Sequence, residues 1–105
     1  MQPKNTLKTL NHSAYRLHYH IVFVIKYRNK VINQEIMERM HDIFSHVLVK
    51  WGCELSEFGA EDDHVHLLIE AHPSLNLSRM IGNLKTVSAR HIRKEYAEHV
   101  GKYFW

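Results

Sequence analysis

The sequence contains little cysteine, proline or glycine, with one, two and four of them among 105 residues. The single Cys53 excludes an intramolecular disulfide and a cysteine-based zinc site, so we expect a reducing compartment. The longest apolar run covers only residues 21–25, whereas roughly 20 residues are needed to span a bilayer, and no signal-peptide pattern follows Met1. We therefore predict a cytoplasmic protein that does not associate with membranes.

The composition is that of one globular domain, with 45% hydrophobic and 24% charged residues. A chain of this length can bury one modest core. The polar, aperiodic residues 1–13 are predicted to be a flexible arm and residues 14–105 the domain. A formal charge of +3 permits nucleic acid as a partner, and ten histidines are an unusually large number.

Hydrophobic periodicity predicts three strands and two helices. Apolar residues alternate from Tyr15 to Ile25, which predicts a strand with one apolar face and one mixed face, followed by a polar loop at 27–30. Residues 53–60 and 64–71 are predicted to form a hairpin around an acidic turn. Asn33 is the predicted N-cap of a helix up to Trp51. Asn76 is the predicted N-cap of a second helix that runs to about residue 99 and is ended by Gly101.

This order of strand, helix, strand, strand and helix predicts an α+β fold, the ferredoxin-like or RRM-like split βαβ sandwich. Its antiparallel sheet carries two helices on one face. The aromatic residues 103–105 stand where polar residues usually end a chain. We therefore expect the chain to stop inside its fold, before the last strand.

The motif His64-Val65-His66 is the strongest local indication of chemistry. Residues two apart on a strand point the same way, so the imidazoles stand side by side, and Asp62 shares their face if the strand begins early. Two nitrogens and a carboxylate suit a divalent metal. His18 and His20 are predicted to share this open face and to assist there. The alternative is a set of exposed strand histidines without a ligand.

Two basic clusters predict contacts with nucleic acid. Polar and basic side chains at three- and four-residue steps form a stripe on the second helix, and Lys85 lies close to it. The stripe consists of Arg79, Asn83, Thr86, Arg90 and Arg93. A second cluster follows the first strand and comprises Lys26, Tyr27, Arg28 and Lys30, in which the tyrosine is available for stacking on a base. The alternative for both clusters is an ordinary solvated surface.

Four ordered motifs resemble a known family. They are Tyr19-His20-Ile21-Val22-Phe23, Lys26-Tyr27-Arg28, the segment from Asp63 to Ile69, and Leu84-Lys85 with Ser88-Ala89-Arg90. Together they resemble the single-tyrosine HUH transposases of bacterial insertion sequences, the TnpA proteins of the IS-two-hundred/six-hundred-and-five type, over residues 14–105.

The resemblance implies a homodimeric endonuclease that recognises hairpins in single-stranded DNA and performs DNA transposition. It implies that His64 and His66 bind Mg²⁺ or Mn²⁺ and that a tyrosine forms a 5′-phosphotyrosine intermediate. In the family this tyrosine lies on a helix after the fourth strand, so the resemblance implies that a C-terminal helix is missing as well as the last strand. Neither Tyr96 nor Tyr103 occupies that position, so no catalytic nucleophile is expected within this chain.

Two other functions compete with the transposase interpretation. A non-catalytic RRM-like nucleic-acid-binding module explains the strand order and the basic stripe, but it expects aromatic residues on the open sheet face. A nucleotide hydrolase of the histidine-triad kind requires a histidine where Leu68 stands, and it is set aside.

Overall fold

The computed structural model of the protein describes residues 16–101 and 104–105. The predicted arm at 1–13 lies outside the described residues, as do Tyr15 and Tyr103. The elements in chain order are β1 (Leu17–Val24), a 3₁₀ turn (Lys26–Arg28), α1 (Gln34–Lys50), β2 (Glu54–Ala60), β3 (His64–Ala71), α2 (Leu77–Glu95) and α3 (Ala97–Val100).

The three strands form one antiparallel sheet with the order β1-β3-β2. Leu17 lies opposite Ala71 at one end of the β1/β3 pair, and Val24 lies opposite His64 at the other. The β2/β3 pairing shifts between Leu55 and Glu57. The predicted α+β class with an antiparallel sheet and two main helices is therefore confirmed.

A hydrophobic core fills the space between the sheet and the helices. The inward side chains of β3 are Val65, Leu67, Ile69 and Ala71, and all four are fully buried. Ile36, Met40, Phe44 and Leu48 recur every four residues along α1 and are also fully buried. A period of two on the strand and of about four on the helix thus brings two apolar surfaces together.

Both predicted N-caps are present. The Asn33 side chain accepts a hydrogen bond from the backbone N–H of Ile36 at 2.9 Å, and Asn76 accepts one from Arg79 at 3.1 Å. Each bond satisfies a backbone donor that the first helical turn leaves unpaired. Between the helices, the Arg39 guanidinium contacts the Glu95 carboxylate at 2.7 Å.

Three elements have boundaries that differ from the prediction. The first strand begins at Leu17 and ends at Val24, and the second strand begins at Glu54. The 3₁₀ turn overlaps the predicted polar loop after the first strand. The second helix does not continue to residue 99 but ends at Glu95, because Tyr96 leaves helical geometry with φ −128° and the chain resumes as α3. This change of direction brings Val100 into the core, where it is 5% exposed.

The last two residues lie beside the end of β1. The backbone N–H of Lys26 donates to the carbonyl of Phe104, which is 1% exposed. The Trp105 ring packs against Phe23, with ring centroids 5.3 Å apart, and its indole N–H donates to the Ser88 hydroxyl at 2.9 Å. Phe104 therefore belongs to the core, and Trp105 packs against it. Within the described part of the chain, no helix is long and apolar enough to cross a membrane.

Candidate metal and nucleic-acid site

The sheet face turned away from the helices carries four histidines. Each inward residue of β3 is flanked by outward residues, so His64 and His66 point to this open face. On β1, His18 and His20 pair with Glu70 and Leu68 on the same face. The structure therefore brings the four predicted histidines onto one surface, with His18 Nε2 lying 3.8 Å from Glu70.

His64 is held by a carboxylate and, through it, by an arginine. Its Nδ1 lies 2.8 Å from Asp63 Oδ1, and the second carboxylate oxygen of Asp63 lies 3.2 Å from Arg28 Nη2. The hydrogen bond with His64 and the positive charge of Arg28 hold the pKa of Asp63 below its usual range. Asp63 is therefore an ionised acceptor at neutral pH, and its side chain is only 14% exposed.

His66 lies over a glycine of the neighbouring strand. Gly59 is its partner in the β2/β3 ladder, and a Cβ added at Gly59 would stand 2.5 Å from two atoms of the His66 ring. The absence of a side chain at Gly59 therefore makes room for the imidazole. The centroid of the His66 ring is 6.5 Å from that of His64 and 6.0 Å from that of His20. Three imidazoles consequently form one cluster on the open face.

Asp62 does not share the histidine face, which corrects the prediction for this residue. β3 begins only at His64, and the turn before it directs Asp62 towards the start of α1. There the Asp62 carbonyl accepts a hydrogen bond from Ile32 at 2.9 Å, and the residue lines a small hollow together with Asn33. Among the described residues, no three His, Cys, Asp or Glu side chains are grouped as a metal site.

The basic cluster after β1 adopts an unusual turn. Tyr27 and Arg28 both have left-handed backbone angles, with φ of 61° and 52°. Tyr27 is 72% exposed, and the Lys26 ammonium lies 5.6 Å from the centre of its ring. Lys30 is exposed in the extended segment that follows. The turn thus combines accessible positive charge with an accessible aromatic ring close to the histidine cluster.

The predicted stripe on α2 divides into two groups. Lys85, Thr86, Arg90 and Arg93 line one groove of about 410 Å³ together with Ala89 and Trp105. Arg79 is exposed in the first turn of α2, outside the residues that line the groove. The Asn83 side chain accepts a hydrogen bond from the Trp51 indole at 2.9 Å, so this amide joins α2 to the end of α1.

Three residues that shape these surfaces were not among the predicted site residues. Asp63 contacts His64 in the structure, whereas the sequence indicated Asp62 as the carboxylate on the histidine face. Gly59 becomes significant only when the register places it opposite His66. Trp105 forms one wall of the basic groove although it follows α2 by ten residues. The Asp-His dipeptide was the one available signal for the first of these.

Tyr19 and Tyr96 do not face the histidine cluster. Tyr19 alternates with the outward residues of β1 and packs against the core. Tyr96 packs against the core at the end of α2, where burial and a hydrogen bond to Glu35 raise its pKa. Cys53 is buried, as expected for an inert thiol, and burial raises its pKa.

The described open-face residues of β1 and β3 are histidine, valine, leucine and glutamate, and none of them is Phe, Tyr or Trp. The stacking platform of an RRM-like module is therefore missing from these strands. This observation argues against RNA or DNA stacking of the RRM type on these strands.

Comparison with known proteins identifies related sequences and a related structure. A family profile described as "Transposase IS200 like" matches residues 13–105. The transposase TnpA of ISDra2 from Deinococcus radiodurans is 32% identical over 85 residues, covering 81% of this chain and 61% of the relative. The transposase for insertion sequence element IS200 from Salmonella typhimurium is 28% identical over 102 residues, covering 93% of this chain and 67% of the relative.

A Deinococcus radiodurans R1 protein assigned as a transposase has a crystal structure that superposes with a TM-score of 0.80. It is 30% identical in sequence, and the match covers 87% of this chain and 73% of that chain. The present chain spans about three fifths of the length of the ISDra2 transposase TnpA.

Proposed function

This chain belongs to the IS200-like transposase family, and on that premise we propose that it holds a divalent cation and binds single-stranded DNA during DNA transposition. The observation that carries the proposal is the pair His64 and His66, side by side on the open face of the sheet. The cation and the DNA contacts are the two parts of the proposal, and each has its own experiment.

Two imidazoles suit a divalent cation that keeps several water ligands, and the family resemblance implies Mg²⁺ or Mn²⁺ as that cation. His64 and His66 would each supply one imidazole nitrogen, and water or phosphate oxygens would fill the other positions. Gly59 leaves the space in which the His66 ring lies. When bound, the cation would offset the charge that builds up on phosphate oxygens during strand cleavage. His20 lies near enough to His66 to assist in proton transfer or in a phosphate contact.

The basic residues of α2 and of the turn after β1 would bind the DNA. Cations on Lys85, Arg90 and Arg93 line one groove, which suits a phosphate backbone. The exposed ring of Tyr27 is suited to stacking on an unpaired base. We propose single-stranded hairpins as the substrate and a homodimer as the working unit, as the family resemblance implies.

The proposed strand-transfer chemistry needs a tyrosine beside the cation to form the 5′-phosphotyrosine intermediate. Tyr19 lies on the covered side of the sheet and Tyr96 packs against the core, so neither is suited to attack a phosphate held by His64 and His66. We propose that the described residues supply the cation and DNA contacts and that neither of these two tyrosines is the nucleophile.

The cation site is tested by adding Mn²⁺ to the protein and recording the histidine ring signals by NMR. We expect paramagnetic broadening to be strongest at His64 and His66, because nearest nuclei relax fastest. His66→Ala should weaken the broadening at His64, since one of two protein ligands is gone. His46→Ala is the matched control, because His46 is an exposed residue of α1, and it should change nothing at the sheet. Equal broadening of His64 with and without His66 would refute the site.

The DNA contacts are tested by measuring hairpin DNA affinity as a function of salt concentration. Each phosphate neutralised in a single strand contributes about 0.7 to the slope of log affinity against log salt. Arg90→Gln and Arg93→Gln should each weaken binding and lower that slope by about this amount. Lys50→Gln removes the same charge from the end of α1 and serves as the control. Salt-independent binding, or an equal effect of the control, would contradict the proposed interface.

A further inference from the structure

The turn after β1 adopts a costly backbone conformation. Tyr27 and Arg28 are the non-glycine residues with positive φ in the described part of the chain, and they are consecutive. The left-handed conformation is unfavourable for an ordinary L-residue, because its Cβ comes too close to the following carbonyl oxygen. Backbone bonds stabilise the turn, among them Arg28 N–H to the Ile25 carbonyl at 2.7 Å. Such a conformation persists where the surrounding structure requires it, and here its result is the placement of Arg28.

The arginine placed by this turn meets Asp63, whose backbone is fixed as well. The Asp63 carbonyl accepts a hydrogen bond from Ile25 N–H at 2.9 Å, which joins the turn before β3 to the end of β1. One side-chain oxygen then contacts Arg28 at 3.2 Å, and the other contacts His64 Nδ1 at 2.8 Å. Asp63 therefore has little freedom to release either partner.

An ionised carboxylate only accepts hydrogen bonds, so His64 must donate from Nδ1. In the neutral imidazole this leaves Nε2 with its lone pair. We propose that Arg28 and Asp63 are positioning residues that fix His64 in the tautomer protonated at Nδ1, so that Nε2 is the nitrogen offered to a ligand. This assignment rests on the proposed function only in naming a cation as the ligand.

The proposal changes the role expected of Arg28. The sequence grouped it with Lys26 and Lys30 as a DNA contact, whereas its guanidinium is engaged by Asp63. Lys26 and Lys30 would then contact phosphates, while Arg28 acts through His64. Loss of Arg28 should therefore alter the imidazole even when no DNA is present.

The test records ring nitrogen signals of ¹⁵N-histidine-labelled protein without metal or DNA, with His64 assigned from His64→Gln. Wild type should show His64 protonated at Nδ1. Asp63→Ala should shift it towards the Nε2-protonated form that unconstrained histidine favours. Asp62→Ala is the matched control, since it removes a carboxylate one residue earlier and should leave the spectrum unchanged. An unchanged tautomer in Asp63→Ala, or an equal shift in the control, would overturn the proposal.

Arg28 supplies a second variant that does not touch the turn before β3. Its side chain is 67% exposed, so Arg28→Met should fold, and it should move the His64 signals in the same direction as Asp63→Ala but less far. Arg28→Lys should restore them in part. If Arg28→Met leaves His64 unchanged, the role of Arg28 is refuted.

Adding Mn²⁺ to the same samples separates this proposal from the cation site. Loss of an outer partner of a metal-binding histidine typically costs 10–100-fold in affinity, so Asp63→Ala should bind Mn²⁺ at least about 10-fold more weakly. A tautomer change with no Mn²⁺ binding in wild type would refute the cation site and leave the positioning role standing. Equal Mn²⁺ affinity in wild type and Asp63→Ala, with an unchanged tautomer, would refute the positioning role alone.

Discussion

The two faces of β3 share one backbone but have opposite roles. The inward residues at positions 65, 67, 69 and 71 are fully buried beneath the helices, whereas the outward residues at 64, 66, 68 and 70 remain partly exposed. Burial of the first set provides stability, and partial exposure of the second leaves imidazoles accessible to a ligand. A strand in which neighbouring residues face opposite environments can therefore carry a core and a binding surface at the same time.

The sharpest test of this difference uses two adjacent leucines. Leu67 is fully buried and Leu68 lies on the open face. Leu67→Ala should lower the free energy of unfolding by about 2–5 kcal/mol, because it removes buried methyl groups and leaves a cavity. Leu68→Ala should lower it by less than about 1 kcal/mol, since its side chain is already in contact with solvent.

Chemical denaturation of both variants, with the midpoint and slope recorded, provides the comparison. Similar losses of stability in the two variants would mean that the open face is covered in solution. That outcome would contradict the assignment of this face to ligand binding.

A smaller change in the free energy of unfolding is expected from the ion pair between Arg39 on α1 and Glu95 on α2. The hydrogen bond from Arg39 holds the pKa of Glu95 below its ordinary value of 4.5. A carboxyl with a lowered pKa in the folded state stabilises the protein above its unfolded pKa, and this contribution is lost as the pH falls through the folded value. Glu95→Gln should cost less than about 1 kcal/mol at pH 7, because both partners are about one third exposed.

The pH dependence distinguishes this ion pair from a packing effect. The stability difference between wild type and Glu95→Gln should shrink as the pH falls below about 4.5, where the unfolded carboxyl becomes protonated. Glu98→Gln on α3 serves as the control. A difference that persists undiminished in acid would show that Glu95 acts through packing rather than charge.

The two histidines of the central motif are held in different ways. His64 is fixed by a hydrogen bond to its neighbour in sequence, whereas His66 depends on a glycine in another strand. The first contact joins neighbours in sequence, so it depends only on the local turn, and the sequence indicated Asp62 rather than Asp63 on this face. The second contact requires the β2/β3 register, which includes an irregularity at Leu55 and Glu57 that no local pattern indicates.

The placement of the basic residues on α2 also depends on tertiary contacts that the sequence pattern does not indicate. Helical spacing predicted a single stripe on α2, and Arg90 and Arg93 do lie together. Asn83 instead accepts a hydrogen bond from Trp51, the residue that follows α1. The spacing of a stripe on one helix contains no information about which of its members a neighbouring element will contact.

The sequence alone determined the strand and helix order, both N-caps and the shared face of His64 and His66, since these follow from local periodicity and from side chains that bond to nearby backbone. Tertiary structure alone decided that Asp63 rather than Asp62 meets His64, that Gly59 lies under His66 and that Trp105 completes the basic groove. These contacts depend on turn geometry and strand register. Both are fixed by the packing of the whole core and not by the residues that make the contact.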